Sequence, residues 1–412
     1  MRPIILQKKG NRPLSKDKDG DANKTRVGGS KDRFWYPRIW DGMTLRGWLR
    51  VLAKNRMAIA PSRLVMAAII SAMGPINSGL GLLQNVIYGR KIRKTEFVKP
   101  PIFVVGHWRS GTTLLHEYLV RDQRNGCANA YMCFCPAHFL VSWSWLRPAM
   151  RGLLPPKRPM DNMAFGWERP QEDEFALCNL GAPSPYLMMT FPNRTPMDQD
   201  YLDLEDAPKE GLARWKRVFD SFLRAVSYHE RKRIVLKSPT HTARMKMLAD
   251  MFPGARFIHI HRDPYAVYPS TVHLWMRLSH DEGLQHPKPH SVDERVFKTF
   301  NKMYDAFHRD REQLDANQIT DVRYEDLVER PVEELERIYR ELELDDFEEA
   351  RGAIEAFAGT QKRYKKNKYD TAPETLRRVE KEWGWFFDKY DYPRLEESDL
   401  EPSEEETDKS EE

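Results

Sequence analysis

Residues 102–115 read Ile-Phe-Val-Val-Gly-His-Trp-Arg-Ser-Gly-Thr-Thr-Leu-Leu. An apolar run ends in a glycine. A Ser/Gly/Thr turn follows and opens a helical pattern carried on by Leu114, Leu115, Tyr118 and Leu119. Strand, tight loop and helix in that order make an anion cradle. Gly106 and Gly111 permit tight backbone conformations, the free amides of the helix start point at one phosphate, and the helix dipole adds favourable potential. The hydroxyls of Thr112 and Thr113 donate as well, and Arg109 adds a forked cation. The ATP/GTP phosphate loop has the same four-residue gap but places Lys after its second glycine. Here Thr112 stands in that place and the cation moves to Arg109. A triphosphate with Mg²⁺ wants the Lys, so the loop suits a nucleotide whose 5′-phosphate is held without metal.

Three further apolar runs end in polar, functional-looking turns: Ile234–Leu236 before Lys237-Ser238-Pro239, Arg256–His261 before Arg262-Asp263-Pro264, and a run around Val322-Arg323-Tyr324 before a helix over 331–342. Short buried strands alternating with helices predict an α/β fold, a central parallel sheet flanked by helices in three layers. Ligands of such sheets bind beyond the carboxyl ends of the strands, where every one of these turns lies.

The chain has 412 residues, 41% of them hydrophobic and 31% charged. That composition excludes wholesale disorder and a polytopic membrane protein. The net charge of +5 is a poor summary. Residues 1–33 carry ten Lys/Arg and four Asp/Glu, and residues 396–412 carry one Lys and ten Asp/Glu. Both are read as disordered ends, a basic arm and an acidic tail. The body between them keeps 55 basic and 47 acidic residues, an excess that suits an anionic ligand or surface. Cys127, Cys133, Cys135 and Cys178 lack metal-site spacing and read as reduced thiols, in keeping with a cytoplasmic location.

Residues 34–95 form an expected N-terminal helical segment ahead of the α/β domain at 96–395. Within it, 64–83 carry no charge, with Arg63 before and Arg90, Lys91, Arg93 and Lys94 after. Gly74-Pro75, Asn77, Ser78, Gly79 and Gly81 are expected to interrupt a helix there. Three readings stand open: a broken helix packed on the core, an element lying on anionic lipid as a peripheral membrane contact, and a membrane span.

Arg109-Ser110-Gly111-Thr112-Thr113-Leu114-Leu115 resembles the loop of the sulfotransferase superfamily, whose donor is 3′-phosphoadenosine 5′-phosphosulfate (PAPS). A second match lies in Arg262-Asp263-Pro264 with Ser270 eight residues after Arg262. The resemblance covers about 96–390. It implies a P-loop-containing fold, with Arg109, Ser110, Gly111, Thr112 and Thr113 on the 5′-phosphosulfate and Arg262 and Ser270 on the 3′-phosphate. Asp263 can cap the helix that carries Ser270, and Pro269 inside that helix is expected to kink it. Lys237 corresponds to the Lys between leaving phosphate and transferred sulfonate, where charge develops. Tyr324, in Tyr-Glu-Asp, implies a residue near the adenine. Lys365 and Lys366, in a basic run over 362–369, imply cations closing over the nucleotide.

The proton acceptor is left open. Family members with a His two residues after the Lys have Pro239 in its place here, and His241 stands four on. Glu172 and Glu174, in Glu-Arg-Pro-Gln-Glu-Asp-Glu, are rival carboxylates ahead of a helix. The expected reaction is transfer of a sulfonate from PAPS to a hydroxyl, or an amine, of a small-molecule, lipid or carbohydrate acceptor, with no metal required. The alternatives are a P-loop kinase or NTPase-like phosphotransferase and a non-catalytic, membrane-associated anion binder. Trp143, Trp145, Trp167, Trp275 and Tyr186 are candidate walls of an acceptor pocket. No recognition module points to nucleic acid.

Overall fold

The computed structural model describes residues 36–154, 166–288, 292–361, 369 and 371–396. The basic arm, the acidic tail beyond residue 396, and Lys365 and Lys366 fall outside the described residues. Five parallel strands form one sheet: β1 Ile102–Val105, β2 Asn125–Cys127, β3 Arg233–Lys237, β4 Arg256–His261 and β5 Ile319–Arg323, in the order β2-β3-β1-β4-β5. β1 is central. Val104 pairs with Lys237 on one side and with Ile258 on the other. The sequence pattern showed four of these strands. It missed β2, three residues of Asn-Gly-Cys with no apolar run, which forms because it pairs with β3 at the sheet edge.

Alternation along the strands supplies both faces of the sheet. Phe103, Val105, Leu236 and Phe257 join one large core, while Ile102, Val104, Val235 and Ile258 join a second with Leu115 and Leu119. The helices Lys209–Glu230, Pro264–Glu282, Val292–Arg311 and Pro373–Tyr390 pack on the first face. Thr112–Leu119, Pro331–Glu341 and Glu348–Gln361 cover the second. This is the three-layer fold expected from the strand–helix alternation.

Residues 36–95 are helical, and Trp40, Trp48 and Ile70 bury into the first core. The break expected at Gly74-Pro75 does not occur. One helix runs from Leu64 to Lys94 with Pro75 inside it. Gly74, Asn77 and Ser78, three of the residues read as breakers, dock this helix on the body, as does Gln84. Gly74 lies against Leu45, where a Cβ would come within 3.2 Å of the Leu45 Cα. The Asn77 amide donates to the Asp41 and Met43 carbonyls at 2.7 and 3.1 Å. Ser78 Oγ accepts from Leu45 N, and Gln84 Oε1 from Leu140 N. Glycine and proline cost a helix about 1 and 3 kcal/mol each; this set of tertiary bonds and contacts offsets that cost. Likewise the helix Pro264–Glu282 continues through Pro269.

Candidate active site

The loop after β1 turns on three residues with positive φ, Gly106 (+146°), Arg109 (+69°) and Gly111 (+105°). Gly111 caps the helix Thr112–Leu119 without a side-chain acceptor, which leaves the first amides to an incoming anion. Ser110 Oγ donates to the His107 carbonyl at 2.7 Å, and Gly106 N to Thr242 Oγ1 at 2.7 Å, which ties the loop to the segment following β3. A Cβ on Gly111 would fall 2.3 Å from the Tyr324 ring, so glycine is required there by space as well as by φ.

The residues expected on the nucleotide meet around this loop. Arg109 Nε donates to Ser270 Oγ at 2.7 Å. Arg262 Nη1 donates to the Arg109 carbonyl at 3.1 Å, and its guanidinium lies 4.4 Å over the Tyr324 ring. Asp263 Oδ1 accepts from Tyr265 N at 2.9 Å and caps the helix that carries Ser270. Three strand ends, after β1, β4 and β5, thereby converge on one cationic crevice.

Lys237 ends β3 and is 1% exposed. Its ammonium donates to Glu172 Oε1 at 2.6 Å. Glu172 Oε2 accepts from the Tyr186 hydroxyl at 2.6 Å, and that hydroxyl in turn accepts from Trp108 Nε1 at 2.8 Å. Burial, reinforced by the Glu172 charge, holds the Tyr186 phenol well above its ordinary pKa, so it keeps its proton and donates. Trp108 belongs to the phosphate loop, so one chain of hydrogen bonds joins loop, tyrosine, carboxylate and lysine.

The three candidate bases part company here. Glu172 is half-buried at the helix N-terminus, beside Lys237. Glu174 is fully buried; it accepts from Arg244 Nη1 at 2.7 Å, Thr240 Oγ1 at 2.8 Å and Ser184 Oγ at 2.5 Å. His241 is also fully buried, with Nε2 2.7 Å from Asp173 Oδ2 and its ring between Phe103 and Phe219. Burial would raise the Asp173 carboxyl, yet the His241 charge and the bonds from His241 and Ser238 hold it below its ordinary value. Both residues brace the helix Asp173–Asn179 against the turn after β3, and that bracing sets Glu172 beside Lys237.

A small pocket adjoins this group; Trp108, Tyr186, Met188 and Trp275 line it together with Gln199 and Arg295. Of the five aromatics singled out in the sequence, Tyr186 and Trp275 line it. Trp167 is buried against Tyr131 and Phe134, and Trp145 is 53% exposed. Sequence reading passed over Trp108 and the hydroxyl of Tyr186. Nothing local marks them, since their partners lie 14 and 78 residues away.

A family model described as "Sulfotransferase family" matches residues 100–349. The chain belongs to the sulfotransferase family. This sulfotransferase is 42% identical over 365 residues to omega-hydroxy-beta-dihydromenaquinone-9 sulfotransferase Stf3 of Mycobacterium bovis, across 89% of this chain and 94% of the relative. The Mycobacterium tuberculosis protein of the same name matches to the same extent. Among solved structures, the sulfotransferase STF9 from Mycobacterium avium superposes with a TM-score of 0.60 at 18% identity, covering 85% of this chain and 97% of that one. Sulfotransferase STF1 from M. tuberculosis gives 0.56 at 17%, covering 87% and 94%. At those identities the structures establish the shared fold.

Proposed function

We propose that this sulfotransferase transfers a sulfonate from PAPS to the hydroxyl of an apolar lipid of the menaquinone type. The observation that carries the reading is the contact of Lys237 Nζ with Glu172 Oε1, at the carboxyl edge of the sheet that also bears the phosphate loop. The amides and hydroxyls of Arg109–Thr113 hold the 5′-phosphosulfate. Arg262 and Ser270 take the 3′-phosphate, and Tyr324 borders the adenine. The acceptor hydroxyl enters from the aromatic cavity. Its oxygen attacks sulfur, the bond from sulfur to the bridging phosphate oxygen breaks, and the hydroxyl proton passes to Glu172. Lys237 neutralises the charge that builds on the bridging oxygen, and adenosine 3′,5′-bisphosphate leaves. Tyr186 fixes the orientation of the Glu172 carboxylate. The arginines and the lysine supply the countercharge.

The acceptor class is supported by the 42% identical relatives, whose name specifies a hydroxylated menaquinone, and by the aromatic residues Trp108, Tyr186 and Trp275 in the pocket wall. Residues 96–395 form the catalytic unit in this reading. The unpaired cysteines accord with a reducing cytoplasm.

Calorimetry with adenosine 3′,5′-bisphosphate, ATP and ATP–Mg²⁺ tests the donor site. The bisphosphate is expected to bind, and Arg262→Ala to weaken it by about 2 kcal/mol or more, the scale of a charge-assisted phosphate contact. Preference for ATP–Mg²⁺, or an unchanged bisphosphate affinity in Arg262→Ala, overturns the reading.

A further inference from the structure

The helix Leu64–Lys94 is amphipathic in the opposite sense to a helix of a water-soluble surface. Its docked stripe is largely small and polar: Ala67, Gly74, Asn77, Gln84 and Gly89 are buried, with Ile70 and Ile92 the large aliphatic residues among them. Its outer stripe is aliphatic. Val65, Ile69, Ile76, Leu82, Leu83 and Val86 are all exposed, Leu82 by 70% and Val86 by 82%. Soluble helices turn their polar residues outward, and a contiguous apolar face of this length marks a contact surface. No charged residue occurs from Leu64 to Gly89; then Arg90, Lys91, Arg93 and Lys94 crowd the last turn. All four are exposed, and no ion pair with a carboxylate engages them among the described residues.

We infer that the outer face of this helix lies flat on an anionic bilayer, with its aliphatic stripe among the acyl chains and its terminal cations at the headgroups. The charge pattern selects the bilayer. An apolar stripe ending in four exposed cations complements acyl chains edged by anionic lipid. Trp145, half-exposed, sits on the segment that reaches this helix through the Leu140–Gln84 bond, and an exposed indole suits the interface. The helix does not span. Asn77, Ser78 and Gln84 spend their hydrogen bonds on the protein body, so one whole side of the helix is protein along its length. The stretch Leu64–Ile87 is about 36 Å long and lies in the membrane plane. The start of the helix is also tied to the cavity wall: Ala60 N donates to the Leu284 carbonyl, and Leu284 N to the Thr190 carbonyl, two residues from Met188. The docked helix would thus hold the segment that borders the pocket close to the membrane; the use of that proximity by a lipid acceptor rests on the proposed acceptor class, whereas the docking does not.

The test is co-sedimentation of the full chain with vesicles of phosphatidylcholine, with and without about a quarter phosphatidylglycerol. The protein is expected to sediment with the anionic vesicles. Leu82→Asp with Val86→Asp should lower partitioning about tenfold or more on both vesicle types. Arg90→Glu with Lys94→Glu should lower it only on the anionic ones. These positions are exposed, so thermal melting and bisphosphate affinity stay at wild-type values and read the fold and the nucleotide site separately. The inference is overturned if the wild type stays in the supernatant with both vesicles, or if the double Asp variant sediments like the wild type. It is overturned equally by a dimer in the ultracentrifuge that the Asp variant dissociates, or by resistance to alkaline carbonate extraction, which would mean a span.

Discussion

Replacing Glu172 by glutamine separates the two jobs the structure gives this carboxylate. Glu172 Oε1 and Oε2 lie 2.6 Å from Lys237 Nζ and from the Tyr186 hydroxyl. The amide has nearly the same shape, but only its oxygen can accept, and its NH₂ must face either an ammonium or a phenol already engaged by Trp108. Lys237, 1% exposed, then loses the Glu172 carboxylate charge. Breaking a fully buried pair costs about 3–5 kcal/mol; with the Glu172 side chain 15% exposed, some of that is screened, and about 2 kcal/mol is expected. Adenosine 3′,5′-bisphosphate brings phosphate charge back to Lys237, so the ligand should raise the melting temperature more in Glu172→Gln than in the wild type. The chemical step should slow by about 10²–10⁴, the usual worth of a general base, or roughly 3–5.5 kcal/mol of barrier. Single-turnover transfer from labelled PAPS, at saturating donor, measures the step; thermal shift with the bisphosphate measures the pairing. Glu172→Asp should recover part of the rate, and Tyr186→Phe should cost less than Glu172→Gln. A Glu172→Gln rate within about threefold of wild type would refute the assignment of the base. A smaller ligand-induced shift in the variant would refute the electrostatic account of Lys237.

Two further outcomes follow from buried groups. Glu174→Gln should destabilise the fold by about 3–5 kcal/mol in urea unfolding, because it strands the fully buried Arg244 guanidinium, while the rate per folded molecule stays close to wild type; an unchanged stability with a collapsed rate would make Glu174 the base instead. Stability should also fall steeply in acid. Burial pushes the His107, His116 and His261 imidazoles down to about 3 and His138 down to about 4, against 6.5 in the unfolded chain. The unfolded state therefore takes up protons first as pH drops below 6.5. The stability conferred by keeping these rings neutral is complete above that value and is lost towards the folded-state values, at about 2 kcal/mol per histidine by roughly pH 5. Equal urea midpoints at neutral pH and at about pH 5 would contradict this.

The glycine loop after β1, the strand-end arginine and the lysine that ends β3 are legible in the chain because each is a local event. An apolar run must become a strand buried on both faces, and a glycine turn before a helix must present amides. Four of the five strands, the sheet class and the order of the anchors follow from such local patterns, as does the family; the edge strand Asn125–Cys127 does not. What lies between them does not. Glu172, Glu174 and His241 are equivalent candidates in sequence, all near polar turns. Only tertiary contacts, Arg244 and Thr240 on Glu174, Asp173 on His241, and Tyr186 with Lys237 on Glu172, separate one half-buried carboxylate from two buried braces. The same holds for residues 64–94. Propensity alone breaks a helix at Gly74-Pro75, yet the body supplies partners for Gly74, Asn77 and Ser78 on one side. Local composition fixes where a chain tends to bend and where charge gathers. Which side chains meet, and which face is left uncovered, depends on free energy shared among residues far apart in sequence, and only the folded structure decides it.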